Sequence, residues 1–128
     1  MTHWFVNFMR KFLNTRFGRW LTPRIFKHAS FLIPGKRLRE SPNWLVIQHP
    51  QPAYPAHFLV LPKREYRDWM SIPAADAPFI SEFIDITQSL IGEFNLKEEG
   101  YRIIINGGKY QDFPHLHIHL VSGESNSD

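Results

Sequence analysis

The 128-residue chain has no cysteine. That excludes a disulfide scaffold, a thiolate zinc site and a cysteine nucleophile. Any metal ligand must be His, Asp or Glu, and any nucleophile must be His, Ser, Thr, Lys, Tyr or a carboxylate. No apolar run approaches the roughly 20 residues that span a bilayer, so a transmembrane helix is not expected. Charged residues make up only 21%, too few for a solvated disordered chain. No internal repeat is present. Acids are missing from residues 1–39, which hold nine Lys and Arg. The remainder carries six Lys and Arg and all twelve acids, so a head of +9 precedes a body of −6. Such a split suggests a head that meets something anionic.

Apolar material is plentiful. Hydrophobic residues are 43% and aromatics 15%, enough for the core of one domain. The head reads as an amphipathic helix. Trp4, Phe5, Phe8, Met9, Phe12 and Leu13 recur at helical steps, with His3, Asn7, Arg10, Lys11 and Asn14 opposite. Gly18 and Thr22-Pro23 are stop signals. Three roles fit: a helix packed on protein, an interfacial helix on an anionic membrane through residues 1–21, or an organellar transit peptide. On the membrane reading, flotation with vesicles should follow lipid charge, weaken with salt and disappear without residues 1–19. Equal binding by the shortened chain would favour the packed helix.

Beyond the head, Pro34-Gly35 and Ser41-Pro42-Asn43 are turns. Trp44-Leu45-Val46-Ile47 and His57-Phe58-Leu59-Val60-Leu61 read as strands, joined by a stiff loop with Pro50, Pro52 and Pro55. A short helix is expected over residues 65–70. The strongest helix begins after Asp76, with Pro78 in its first turn. Its apolar face carries Phe79, Ile80, Phe83, Ile84, Leu90, Ile91 and Phe94, and it ends between Asn95 and Gly100. Residues 101–106 and 115–121 are the last two strands, and residues 123–128 are a polar tail.

The histidines concentrate the chemistry. His115, His117 and His119 alternate with Leu116, Ile118 and Leu120, so a strand would put the imidazoles on one face and the apolar residues toward the core. A solvated His face, a zinc or copper site, and phosphoryl chemistry all fit the pattern. Neutral imidazole can attack phosphorus, and an adjacent imidazolium can neutralise phosphate and protonate a leaving group. An antiparallel pairing of residues 101–106 with the His strand would bring Asn106 and the amides of a Gly-rich loop to the triad. His57 adds a fourth imidazole at the start of its strand.

These residues resemble the histidine-triad (HIT) superfamily, whose motif alternates three histidines with apolar residues. The likeness extends to Ala56-His57-Phe58-Leu59-Val60-Leu61-Pro62-Lys63, to Phe94-Asn95-Leu96, and to the strand from Gly100 to Gly107. Ile25-Phe26 and Ile33-Pro34-Gly35-Lys36 resemble the start of the domain. The resemblance implies an α+β fold, with an antiparallel sheet of about five strands, one long helix and short helices, beside the N-terminal amphipathic helix. It divides the chain into a basic extension over residues 1–24, a HIT-like domain over 25–123 and a flexible tail over 124–128. It implies a homodimer with a continuous sheet, and hydrolysis or transfer at the α-phosphorus of a nucleotide.

By resemblance, His117 is the nucleophile and His119 touches the phosphate and leaving group. His115 supports the middle His, and His57 completes the cluster. Asn106, Gln111, Asp112, His49, Ile25 and Phe26 are the candidate substrate-binding residues. A third His rather than Gln points to the hydrolase side of the superfamily. Two positions depart from the pattern. His49 falls near the acid that usually holds the ribose. Asp112 stands where a small hydroxyl residue usually meets the phosphate, and it either turns outward or marks an altered substrate or a paired Asp–His. A catalytically weak nucleotide-binding module and a His-based metal-binding protein are the alternative readings. No cofactor, no metal and no nucleic-acid partner are expected, and the setting is expected to be cytoplasmic or peripheral to a membrane.

Overall fold

A computed structural model describes residues 37–49, 52–112 and 114–126. The N-terminal helix, Ile25, Phe26 and the Pro34-Gly35 turn lie outside the described residues. Five strands follow the turn signals: β1 Arg37–Glu40, β2 Trp44–Gln48, β3 Ala56–Pro62, β4 Arg102–Ile105 and β5 Ile118–Ser122. All pair antiparallel, in the order β1-β2-β3-β5-β4. The turn after β1 closes with Ser41 N–H donating to Trp44 O at 2.9 Å. Glu82 clamps that turn, accepting from Ser41 Oγ at 2.6 Å and from Asn43 N at 2.8 Å.

Period-two alternation places Trp44, Val46, Phe58, Val60, Ile118 and Leu120 on one face of the sheet, in the core. Helix α1, Ala77–Glu93, lays Phe79, Ile86 and Leu90 into the same core. Trp44 stacks on Phe79 with ring centroids 4.4 Å apart, and its Nε1–H donates to Phe79 O at 2.9 Å. Asp76 precedes α1 but does not cap it with its side chain. Its carboxylate instead accepts from the Tyr66 hydroxyl at 2.5 Å. Asn95, at φ 57°, turns the chain out of α1 into a second short helix, α2, Leu96–Glu99. Leu96 then returns to the core. Among the described residues no helix is long and apolar enough to cross a membrane.

Three expectations change. The helix over residues 65–70 shrinks to a 3-10 turn at Trp69–Ser71. The carbonyls of Tyr66 and Arg67 are taken by Leu116 N–H and by the Gln111 side chain, so they are not free for helical bonding. The last strand begins at Ile118, not His115. The imidazole face is not solvated: His115 is fully buried, His117 is 5% exposed and His119 is half-buried.

Candidate active site

Register assembles the site. Leu59 lies opposite His119 and His57 opposite Val121, so His57 and His119 are diagonal neighbours on the face away from α1. His49 follows β2, and its N–H continues the ladder to His57 O at 2.8 Å. Its ring packs on His57 at 4.3 Å between centroids and on His119 at 6.1 Å. Tyr54 meets His57 edge-on at 5.5 Å. Ile105 pairs with Ile118 at the end of the ladder, and Asn106 follows it directly. Asn106 is half-buried there.

Hydrogen bonds assign the ring protons. The Ala53 amide, which can only donate, lies 3.0 Å from His57 Nδ1. A neutral His57 therefore carries its proton on Nε2, 2.9 Å from His119 Nδ1. His119 accepts at Nδ1 and keeps its own proton on Nε2. Burial, then the charges of His49 and His119, push His57 down to about 3. Burial, then His117 and His49, lower His119 to about 4, while the Asp112 charge works the other way. Both rings are neutral near pH 7.

The other two triad residues are fixed by carbonyls. His115 Nε2 lies 3.2 Å from Pro62 O, and burial lowers this His to about 3. His117 Nδ1 lies 2.9 Å from His115 O. That bond places a proton on Nδ1 and leaves Nε2 as the reactive nitrogen. Asp112 Oδ1 lies 3.3 Å from this Nε2 on a half-exposed side chain, within ion-pair reach only when the His117 ring is protonated. Gln111 anchors the same loop, donating from its side chain to Arg67 O at 2.6 Å. Beside Asn106, a cleft of about 350 Å³ is lined by Trp69, Met70, Ile105 and Gly107.

The structure thus brings together His49, His57, His115, His117, His119 and Asp112, with Asn106 at the adjoining strand end. Gln111 faces Arg67, and Ile25 and Phe26 lie outside the described residues. His49 packs against His57, which the sequence did not indicate. Ligand nitrogens of His49, His57 and His119 lie within 4.8 Å of one another, so among the described residues these three, rather than the triad itself, are the set that could hold a metal. A metal on His57 Nε2 would displace the proton that the Ala53 amide keeps there. The Ala53 amide and Pro62 carbonyl were invisible to sequence reasoning, because every residue carries such groups. Trp69 and Met70 carried one signal, large apolar residues in a polar stretch.

Unfolded imidazoles titrate near 6.5, and His57, His115 and His119 titrate well below that when folded. Between those values the unfolded chain binds more protons than the folded one. The stability these groups contribute is complete above about pH 6.5 and is lost as pH falls toward 4 and 3. Calorimetry should show Tm falling steadily from pH 7 to pH 5, with unfolding taking up protons. A Tm that is flat over that window would contradict buried neutral imidazoles.

Comparison with known proteins agrees with this geometry. A family model described as HIT domain matches residues 31–126. A HIT-like protein of Chlamydia pneumoniae is 35% identical over 94 residues, covering 72% of this chain and 84% of the relative. The solved structure of a histidine triad protein from Clostridium difficile superimposes with a TM-score of 0.70 at 27% identity, over 82% of this chain and 93% of that one. A crystal structure described as a HIT family hydrolase, from Legionella pneumophila, gives a TM-score of 0.70 at 26% identity, over 78% and 91%.

Proposed function

The chain belongs to the HIT domain family, whose fold is of the nucleotide-binding and hydrolase type, and on that premise we propose a specific chemistry. The protein is a nucleotide hydrolase or nucleotidyl-transfer enzyme that works through a nucleotidyl-His117 intermediate. The observation that carries this reading is the bond of His117 Nδ1 to His115 O at 2.9 Å, which leaves Nε2 as the reactive nitrogen.

In the first step Nε2 bonds to the α-phosphorus while the bond to the leaving group breaks. The leaving oxygen or nitrogen takes a proton from solvent, while His119 Nε2–H donates a hydrogen bond to it as its negative charge develops. His57 Nε2–H, which donates to His119 Nδ1 at 2.9 Å, fixes the tautomer that keeps this proton on Nε2. The positive charge that develops on the His117 ring is stabilised by the His115 carbonyl through Nδ1–H. In the second step water attacks phosphorus, the N–P bond breaks with its electron pair returning to His117 Nε2, and the proton released by water passes to solvent. The product is a nucleoside monophosphate.

A panel of nucleoside phosphoramidates and dinucleoside polyphosphates tests the proposal. Release of nucleoside monophosphate from at least one class is the expected result. A weak nucleotide-binding module remains the second reading, because Asp112 sits 3.3 Å from the reactive nitrogen. Tight nucleotide binding with no turnover of any panel member would favour that module.

A further inference from the structure

Asp112 is the least expected group at the site. Its carboxylate lies 3.3 Å from His117 Nε2 and is half exposed. Gln111 before it and Leu116 after it are each anchored to residues 66–67. Gln111 donates to Arg67 O at 2.6 Å, and Leu116 N–H donates to Tyr66 O at 3.1 Å. The carboxylate stands 3.3 Å from the reactive nitrogen, so its charge acts directly on the reaction centre. That charge also reaches His119, whose proton affinity it raises.

A phosphorus atom in position to be attacked lies about 3–3.5 Å from Nε2. Its non-bridging oxygens then fall within reach of the Asp112 carboxylate. Each negative charge on them is repelled, partly screened by solvent. An α-phosphorus that still carries its leaving group bears one negative charge. The monophosphate product, whose second pKa is near 6, bears close to two at pH 7.5. The carboxylate therefore opposes the product more strongly than the substrate.

We propose that Asp112 is a specificity-determining residue that sorts ligands by charge at the α-phosphorus, admitting monoanionic centres and disfavouring dianionic monophosphates. The proposal rests on the reading of His117 as the group that meets a nucleotide α-phosphorus. It makes Asp112 a device for product release, and it excludes plain nucleoside monophosphates as tight ligands. A hydroxyl at this position would lack the discrimination, because a neutral donor favours added negative charge.

The test compares two ligands with one nucleoside: adenosine 5′-monophosphate and its 5′-phosphate methyl ester. Binding is measured by calorimetry at pH 7.5 to the wild type, to Asp112→Asn and to Asp112→Ser. Wild type should bind the monoanionic ester about tenfold more tightly, a difference of about 1.4 kcal/mol. Both variants should lose this gap, chiefly by binding the monophosphate more tightly. Measuring the gap within each protein controls for the bulk of the methyl group and for any general loss of affinity. If wild type shows no gap, or both variants keep it, the proposal fails while the nucleotide reading stands. If neither ligand binds the wild type, the nucleotide reading fails and takes the proposal with it.

Discussion

Replacing His117 with alanine is expected to lower kcat by at least about 10⁴-fold, since the variant lacks the atom that bonds to phosphorus. No neighbour can substitute. His115 is sealed at 0% exposure with Nε2 on the Pro62 carbonyl, and His119 holds its Nδ1 toward His57. The fold should survive. His117 is only 5% exposed, but it precedes β5 and stands outside the hydrophobic cluster. Its Nδ1 bond is to a neighbouring carbonyl rather than to a distant element. A destabilisation of about 1–2 kcal/mol is expected from the lost hydrogen bond and the small cavity. Steady-state kinetics with the best panel substrate provides the check. A variant that keeps more than about 1% of wild-type kcat would place the nucleophile elsewhere.

The largest stability effect is expected at Trp44. It is 1% exposed, stacked on Phe79 at 4.4 Å and close to Phe83 at 5.0 Å. Its indole N–H also ties β2 to the first turn of α1 through Phe79 O. Trp44→Ala should cost about 3–5 kcal/mol, from the cavity together with the lost aromatic contact. Trp44→Phe should cost less, because it keeps much of the ring contact and loses the hydrogen bond. Urea unfolding followed by circular dichroism measures both. A loss below about 1 kcal/mol for the alanine variant would mean that α1 is not held to the sheet in this way.

Much of this fold was legible because its signals are local. β2 and β3 are apolar runs bounded by Pro, Asn and Ser, and both fall close to where the pattern put them. The alternation of Leu116, Ile118 and Leu120 correctly gave the core side of the triad segment. What the sequence did not show depends on distant partners. The strand was read from His115, but the Leu116 amide is bound to Tyr66 and the His115 ring to Pro62, so ladder pairing starts only at Ile118. On α1, Ile84 was placed on the apolar face, yet it is 46% exposed, while Ile86 is buried. At about 100° per residue Ile84 lies about 140° around from Phe79, and Ile86 only about 20°.

The site divides in the same way. The four imidazoles His57, His115, His117 and His119 were found by spacing and resemblance. The direction of their protons was not, because it is set by the Ala53 amide and by the carbonyls of Pro62 and His115. The packing of the His49 ring on His57 has no local signal either, because it brings together the end of β2 and the start of β3. Asp112 has two readings in the sequence, turned outward or paired with a His, and its half-exposed carboxylate stands 3.3 Å from His117 Nε2.

The central claim is a covalent bond between His117 Nε2 and the α-phosphorus, so the most direct measurement is its capture. Enzyme mixed with a substrate labelled in the nucleotide is quenched within milliseconds under alkaline conditions that preserve phosphoramidate bonds, then digested and mapped by mass spectrometry. The account predicts a nucleotidyl adduct on the peptide containing His117, localised to that residue and absent from His117→Ala. Turnover without any adduct, or an adduct on His115, His119 or His57, would contradict it.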